Sequence, residues 1–326
     1  MVRFAIAVAS VLVGCSGHAR PTVPPAGTAD AYLACLAEVG RKNWQAWGAC
    51  YASDAVSTYA DTGRPALHGR DAIVSGGLPA LATALPDLEA HPVLVLRNGS
   101  KLASVITLTG SHEGPLVTAL GTVPATHKKI GVYAIQVAEL HGNAIAKDWY
   151  FADVRTVHGQ IGTWGGAHRE PVAPASASPT IVIAKNDATE QANLATYRRS
   201  VDAFNRHDAA AFDALLAPDY QNIYASEAKD VTREEKSKQH TGAFALFSDL
   251  AWTPADIWAA GDYVVAVATI TGTNDGDFSP DTPKTGKKID LTGVEIMRFE
   301  GGKVKQHWEF FNAEALALQL GFLKKL

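Results

Sequence analysis

The sequence is short of the residues that most enzyme chemistry requires. Three cysteines and eleven histidines are scattered along 326 residues. They form no His-Glu-x-x-His zinc helix and no spaced Cys/His ligand set, so nothing points to a metal or any other cofactor. No serine sits in a nucleophile-elbow setting and no glycine loop is built to cradle phosphate, which leaves hydrolase and nucleotide chemistry unsupported. An excess of one charge is also missing. The 29 basic and 33 acidic residues leave a net charge of −4, which argues against a nucleic-acid partner and against a basic membrane-binding face. Nor is any apolar run long enough to cross a bilayer as a helix.

What is present begins at the N-terminus. Arg3 precedes a ten-residue apolar run, residues 4–13, and the run ends in Leu12-Val13-Gly14-Cys15. That pattern resembles a bacterial lipoprotein signal, residues 1–14, which implies cleavage before Cys15 and lipidation of its thiol. Two or three acyl chains, at about 0.8 kcal/mol per buried methylene, would hold the protein at a membrane. Ser16 stands where an inner-membrane retention signal places aspartate. The expected location is therefore the cell envelope, anchored in the outer membrane and facing the periplasm. Residues 15–28, with prolines at 21, 24 and 25, read as a tether. In an oxidising compartment Cys35 and Cys50 could form a disulfide. Equally, Leu215 stands opposite Cys50 in a second copy of the sequence, so a buried thiol acting as a small apolar group also fits.

That second copy is the main organising feature. Tyr32, Leu36, Val39, Trp47, Asp54 and Tyr59 recur 165 positions later as Tyr197, Val201, Phe204, Phe212, Asp219 and Tyr224. The offset falls to 162 at Asp87-Leu88 and Asp249-Leu250, then to 159 at Trp149 and Trp308. Two globular units of ordinary domain size follow, at 29–165 and 188–326, joined by a Pro/Ala/Ser linker at 166–187. Helical spacing of apolar residues predicts that each opens on an amphipathic helix. A second short helix leads to a strand ending at Tyr59 or Tyr224. Thr232 and Glu235 make a capping box for a third helix, with residues 69–85 as its equivalent. Residues 88–97, 102–109, 129–140 and 144–151 read as four strands, turning at Asn98-Gly99 and Gly142-Asn143. Helices first and an antiparallel sheet afterwards is an α+β pattern.

At this point the residues resemble a known family. The Asp249-Leu250 pair, Gly272-Thr273-Asn274-Asp275-Gly276, Thr285-Gly286-Lys287-Lys288 and His307-Trp308-Glu309 are similar to the ordered motifs of SnoaL-like polyketide cyclases, or ester cyclases. These belong to the nuclear transport factor 2-like superfamily. The resemblance covers both units and implies two tandem cone-shaped α+β barrels, each a curved antiparallel sheet closed by three helices around an apolar pocket. It also implies units that pair through their sheets as a pseudo-dimer, a small apolar carbonyl compound as ligand, and cofactor-free acid–base chemistry. The general acid and base would be an aspartate four residues after the last strand's tryptophan, which here is Asp153.

Side-chain alternation puts Trp149, Phe151 and Asp153 on one strand face, taken as the pocket face, where an apolar setting would raise the acid's pKa. The equal alternative is that Asp153 caps a helix at 156–162. In the second copy Trp308 and Phe310 lead to Asn312, whose amide cannot shuttle a proton, so that unit reads as degenerate. His307 and Glu309 could serve instead, yet alternation turns them away from Trp308. Asp148 and His307, at matched positions, are expected to face solvent. Tyr59 and Tyr224 are candidate pocket linings, and His112 is a loop residue within reach of the pocket mouth. The alternative to an enzyme is a non-catalytic module that binds a small hydrophobic ligand.

Overall fold

The computed structural model describes residues 29–60, 65–118, 121–224 and 226–323. The signal, Cys15 and the tether lie outside them. In the first unit α1 (Asp30–Gly40) and α2 (Trp44–Gly48) lead to β1 (Tyr51–Tyr59), β2 (Leu67–His68), α3 (Arg70–Gly76) and α4 (Leu78–Ala84). Then come β3 (Glu89–Asn98), β4 (Lys101–Ser111), β5 (Leu116–Thr118), β6 (Gly121–Val123), β7 (Lys129–His141), β8 (Ala144–Ala152) and α5 (Val154–Ile161). A connecting strand, β9 (Thr180–Ile183), precedes α6 (Ala188–Asn205), α7 (Ala209–Asp213), β10 (Leu216–Tyr224), β11 (Val231–Thr232) and α8 (Arg233–Leu246). The second unit closes with β12 (Ala251–Ala260), β13 (Tyr263–Thr273), β14 (Lys288–Glu300), β15 (Lys303–Phe311) and α9 (Ala313–Leu320).

Local chemistry accounts for these elements. Helix α1 buries Tyr32, Leu36 and Val39, the stripe expected from the spacing. Helix α8 opens on the Thr232–Glu235 capping box, with both reciprocal bonds formed. Its counterpart is broken into α3 and α4, because Gly77 leaves the helical region and Pro79 begins a new first turn. The β3–β4 hairpin turns at Gly99, whose φ of 58° lies in the left-handed region that glycine enters at no steric cost. Cys35 and Cys50 form a disulfide that ties α1 to the turn after α2. Closing a loop of that length contributes about 3 kcal/mol by restricting the unfolded chain.

Strand order is β2-β1-β8-β7-β4-β3-β9 in one sheet and β11-β10-β15-β14-β13-β12 in the other. The sheets are not wholly antiparallel as expected. β1 runs parallel to β8, β10 to β15, and β9 to β3. The first two pairs arise because the strand that follows the opening helices enters beside the last strand in the same direction. β9 is a further departure, since four residues of the expected linker join the sheet edge instead of remaining unpaired.

Each sheet buries both faces. The inward face of the first covers α1, α3 and α4 through Tyr32, Leu36, Ile73, Leu78 and Ile145. The inward face of the second packs Tyr197, Phe212, Tyr220, Met297 and Phe299. The outward faces meet in a shared apolar cluster in which Leu96, Ile135, Val137 and Phe151 of the first unit touch Trp258, Ile296, Trp308 and Phe310 of the second. Asn98 Nδ2 also donates to Ala259 O across this junction, at 3.0 Å.

Candidate functional site

The last strand of each unit decides where chemistry is placed. Trp149 and Phe151 share one face of β8, as alternation requires, but that face belongs to the cluster between the units. Trp308 and Phe310 of β15 occupy the same cluster from the other side. The expectation that these four line a pocket is therefore corrected. With both faces of the sheet covered, apolar character does not distinguish inside from outside.

Asp153 continues the outward face and does not enter an interior. One carboxylate oxygen accepts from Thr156 N at 3.0 Å, capping α5. The other accepts from Thr156 Oγ1 at 2.6 Å and from Ser226 N of the second unit at 2.9 Å. A carboxylate committed in this way is a joint and not a proton shuttle. Asn312 is its mirror. Its Oδ1 accepts from Ala315 N at 2.7 Å to cap α9, while Nδ2 donates to Ala60 O of the first unit at 3.2 Å. The exchange of Asp for Asn thus alters a pair of caps that reach across the junction.

The inward faces carry the polar groups. Asp148, expected at the surface, is completely buried on β8. Tyr51 Oη and Gln136 Nε2 donate to its Oδ2 at 2.8 and 2.7 Å, and Tyr32 Oη donates to Gln136 Oε1 at 2.9 Å. Burial pushes the Asp148 carboxyl up to about 6 from 3.8, against the pull of Ser57, Tyr51 and Gln136. Burial likewise drives the Tyr51 and Tyr150 hydroxyls well above their ordinary range, so both stay protonated.

Because the folded pKa of Asp148 exceeds the unfolded one, its stabilising contribution is complete below about 3.8 and is lost as pH rises through about 6. Asp148→Asn removes the buried charge and keeps an acceptor. It is expected to raise stability by up to about 3 kcal/mol at pH 8, and by nothing at pH 3.5. Melting curves at the two pH values check this, and a variant less stable than the parent at pH 8 would contradict it.

The second unit repeats this arrangement with different chemistry. Tyr32, Gln136 and Asp148 correspond, by offsets of 165, 159 and 159, to Tyr197, Glu295 and His307. Tyr197 Oη donates to Glu295 Oε1 at 2.5 Å, and Glu295 Oε2 lies 3.0 Å from His307 Nε2. His307, only 1 % exposed rather than solvent-facing, also has Tyr220 Oη 2.9 Å from its Nδ1. Next to it Lys236 Nζ donates to Glu309 Oε2 at 2.5 Å, and Asn222 Nδ2 donates to the same oxygen at 3.1 Å. Burial alone would raise the Glu309 carboxyl. The Lys236 ammonium and the His307 ring override it and hold it down at about 2.

Glu295, His307, Lys236 and Glu309 line a cavity of about 20 Å3, walled on its apolar side by Val201, Phe204, Phe212, Trp252 and Met297. His240 lines it as well. Helix α8 brings in Lys236 and His240 one turn apart, β14 brings Glu295, and β15 brings His307 and Glu309. The unit expected to be degenerate therefore concentrates an acid, a base and a cation around one cavity. Among the described residues, no group of three or more His, Cys, Asp or Glu is placed to hold a metal ion.

The remaining sequence candidates lie elsewhere. His112 is fully buried, not exposed at a pocket mouth, with Nδ1 2.9 Å from Thr126 Oγ1, and so anchors its loop. Tyr59 stacks on Tyr150 at 5.2 Å between ring centroids. Tyr224 sits near the second unit's polar cluster, with Lys236 Nζ 4.7 Å from its ring centroid. Gln136, Asp148, Glu295, Lys236 and His240 were not singled out from the sequence as site residues. For Gln136, Asp148 and Glu295 the available signal was a polar side chain at matched offsets inside an otherwise apolar strand, whereas Lys236 and His240 lie on the polar helix α8.

No curated protein matches the chain. Among solved structures it is similar to AclR from Streptomyces galilaeus, at 30% identity over 42% of this chain and 85% of that one, with a TM-score of 0.39. It is also similar to TsrD from Streptomyces laurentii, at 24% identity over 43% and 100% of the two chains, with a TM-score of 0.37. A SnoaL-like polyketide cyclase from Agrobacterium tumefaciens matches at 16% identity over 40% and 98%, with a TM-score of 0.34. The family model described as SnoaL-like polyketide cyclase matches residues 28–161 and again 194–320. With most of its length matched in two segments, and with the same α+β order in each, the chain belongs to the SnoaL-like polyketide cyclase family as two tandem copies.

Proposed function

We propose that this is an exported, lipid-anchored enzyme of cyclase or isomerase type that moves a proton on a small apolar carbonyl compound without a cofactor, and that the second unit does the work. The observation that carries this reading is His307 on the wall of the cavity, bracketed by Glu295 at Nε2 and Tyr220 at Nδ1. A carboxylate at Nε2 accepts that ring N–H, which fixes the tautomer and the orientation of the imidazole and leaves the lone pair on Nδ1. Nδ1, whose lone pair accepts from the Tyr220 hydroxyl in the resting site, takes the proton from carbon and returns it once that hydroxyl turns to the substrate. Val201, Phe204, Phe212, Trp252 and Met297 supply the apolar side that a carbon substrate needs.

Deuterium uptake from D2O into cyclopentanone, at the carbons beside the carbonyl, tests the proton step by NMR without knowledge of the natural substrate. Wild type is expected to exceed the buffer rate, and His307→Asn to lose about 100-fold or more of that excess. Full exchange in the variant would end the assignment. The cavity's size favours a second reading, since about 20 Å3 admits only one water-sized group unless side chains part. In that reading the chain binds a small hydrophobic ligand without turnover, and ketones raise its melting temperature but do not exchange.

The anchor rests on residues 4–15, with Cys15 as the lipidated residue and the periplasmic face of the outer membrane as the location. Cys15→Ser is expected to move the protein from the membrane to the soluble fraction. Unchanged sedimentation with membranes would refute it. The shared cluster of outward faces supports pairing of the two units as a pseudo-dimer.

A further inference from the structure

We propose that His240 is a second catalytic residue of this cavity, donating a hydrogen bond as a neutral imidazole to the carbonyl oxygen of the substrate while His307 handles the proton on carbon. The inference rests on the reading above and adds the substrate's oxygen to it. His240 lies on α8, is 5% exposed and lines the cavity. Its Nδ1 is buried and meets no hydrogen-bond partner, although buried polar atoms are nearly always paired. An unpaired ring nitrogen beside a cavity with room for one water-sized group is a binding interaction held ready for an oxygen.

The surroundings decide which kind of oxygen. Phe212, Phe204 and Phe244 hold the ring by its edges and faces, with centroids at 4.4, 5.3 and 5.8 Å. Burial first, and the Lys236 ammonium one turn earlier second, keep the ring's pKa down at about 3. The groups facing it are Lys236, Glu309 and His307. A ring that stays neutral donates an N–H without offering a full positive charge. It therefore suits a ketone or ester carbonyl that becomes an enolate, and is poorly matched to a carboxylate or phosphate. Proton balance is simple. The C–H proton passes to His307, negative charge collects on the carbonyl oxygen at His240, and the same proton returns to carbon, so no oxidant or reductant is needed. Helices α3 and α4 of the first unit carry no histidine, so this arrangement belongs to the second unit alone.

Two variants test it. His240→Phe removes the donor but suits the aromatic surroundings, and His240→Gln restores an N–H. In the cyclopentanone exchange assay His240→Phe is expected to lower kcat by about 100-fold with little change in KM, and His240→Gln to recover to within about tenfold of wild type. Infrared difference spectra of carbonyl-labelled cyclopentanone give a readout independent of turnover. The C=O stretch of the bound ketone should fall to lower frequency in wild type and His240→Gln, and should not do so in His240→Phe. An unshifted stretch in wild type overturns the proposal whatever the exchange result. So does a shift that persists in His240→Phe. If the stretch shifts as expected but wild type shows no exchange, the acid–base reading fails while His240 stands as a ligand donor. If His307→Asn abolishes exchange while His240→Phe leaves it intact, the proposal fails and the reading survives.

Discussion

Replacing Lys236 by methionine is expected to cost about 3–5 kcal/mol of stability at pH 7.5, because it leaves the Glu309 carboxylate buried without its counter-charge. Lys236 is 3% exposed and Glu309 15%, so water can do little to compensate. Asn222 Nδ2 would remain the chief donor to Oε2. With the ammonium gone, burial is opposed only by the neighbouring His307 and His240 rings, so the Glu309 pKa is expected to rise from about 2. The lost stability then depends on pH. The parent gains stability from a carboxylate held ionised and the variant gains less, so the deficit of Lys236→Met should be largest above neutrality and shrink as pH falls towards the acid range. Lys236→Met combined with Glu309→Gln should recover most of the loss, since neither charge is then stranded. Denaturant titrations of the parent, Lys236→Met and the double variant make the comparison, and a Lys236→Met protein as stable as the parent would rule out a structural role for the pair.

The second large effect is expected at the junction. Phe310 is 2% exposed and sits with Trp308 against Phe151, Ile135 and Val137. Phe310→Ala removes a ring that both sheets bury and should cost about 3–5 kcal/mol. Because the cluster is shared, the loss falls on the coupling of the units as well as on one core. Calorimetry is expected to show one cooperative transition in the parent and two separated transitions in the variant. A single transition at the parent temperature would mean that the outward faces contribute no coupling.

Much of the fold was legible because it follows local rules. The Tyr32–Leu36–Val39 stripe, the Thr232–Glu235 box and the strands around Asn98-Gly99 each declare themselves within a few residues. The break between α3 and α4 is also local, since Gly77 and Pro79 interrupt the helix where they stand. The site was much less legible. Period two correctly grouped Trp149 with Phe151 and Asp153, but which face was inside depended on a partner sheet encoded far along the chain. Asp148 and His307 looked like solvent positions because charged side chains usually are. Lys236 and His240 lie in the run Arg233-Glu234-Glu235-Lys236-Ser237-Lys238-Gln239-His240, which reads as a surface helix. Only closure of the cone buries two of its residues.

The matched inward clusters have a consequence for how such a protein can diversify. When two copies associate as separate identical subunits, every substitution is made in both at once, so a group useful in one cup and harmful in the other cannot persist. Fusion through residues 166–187 lifts that restriction. One cup can retain an acid among tyrosines while the other takes up a base, a cation and a second ring, each chosen without regard to its twin.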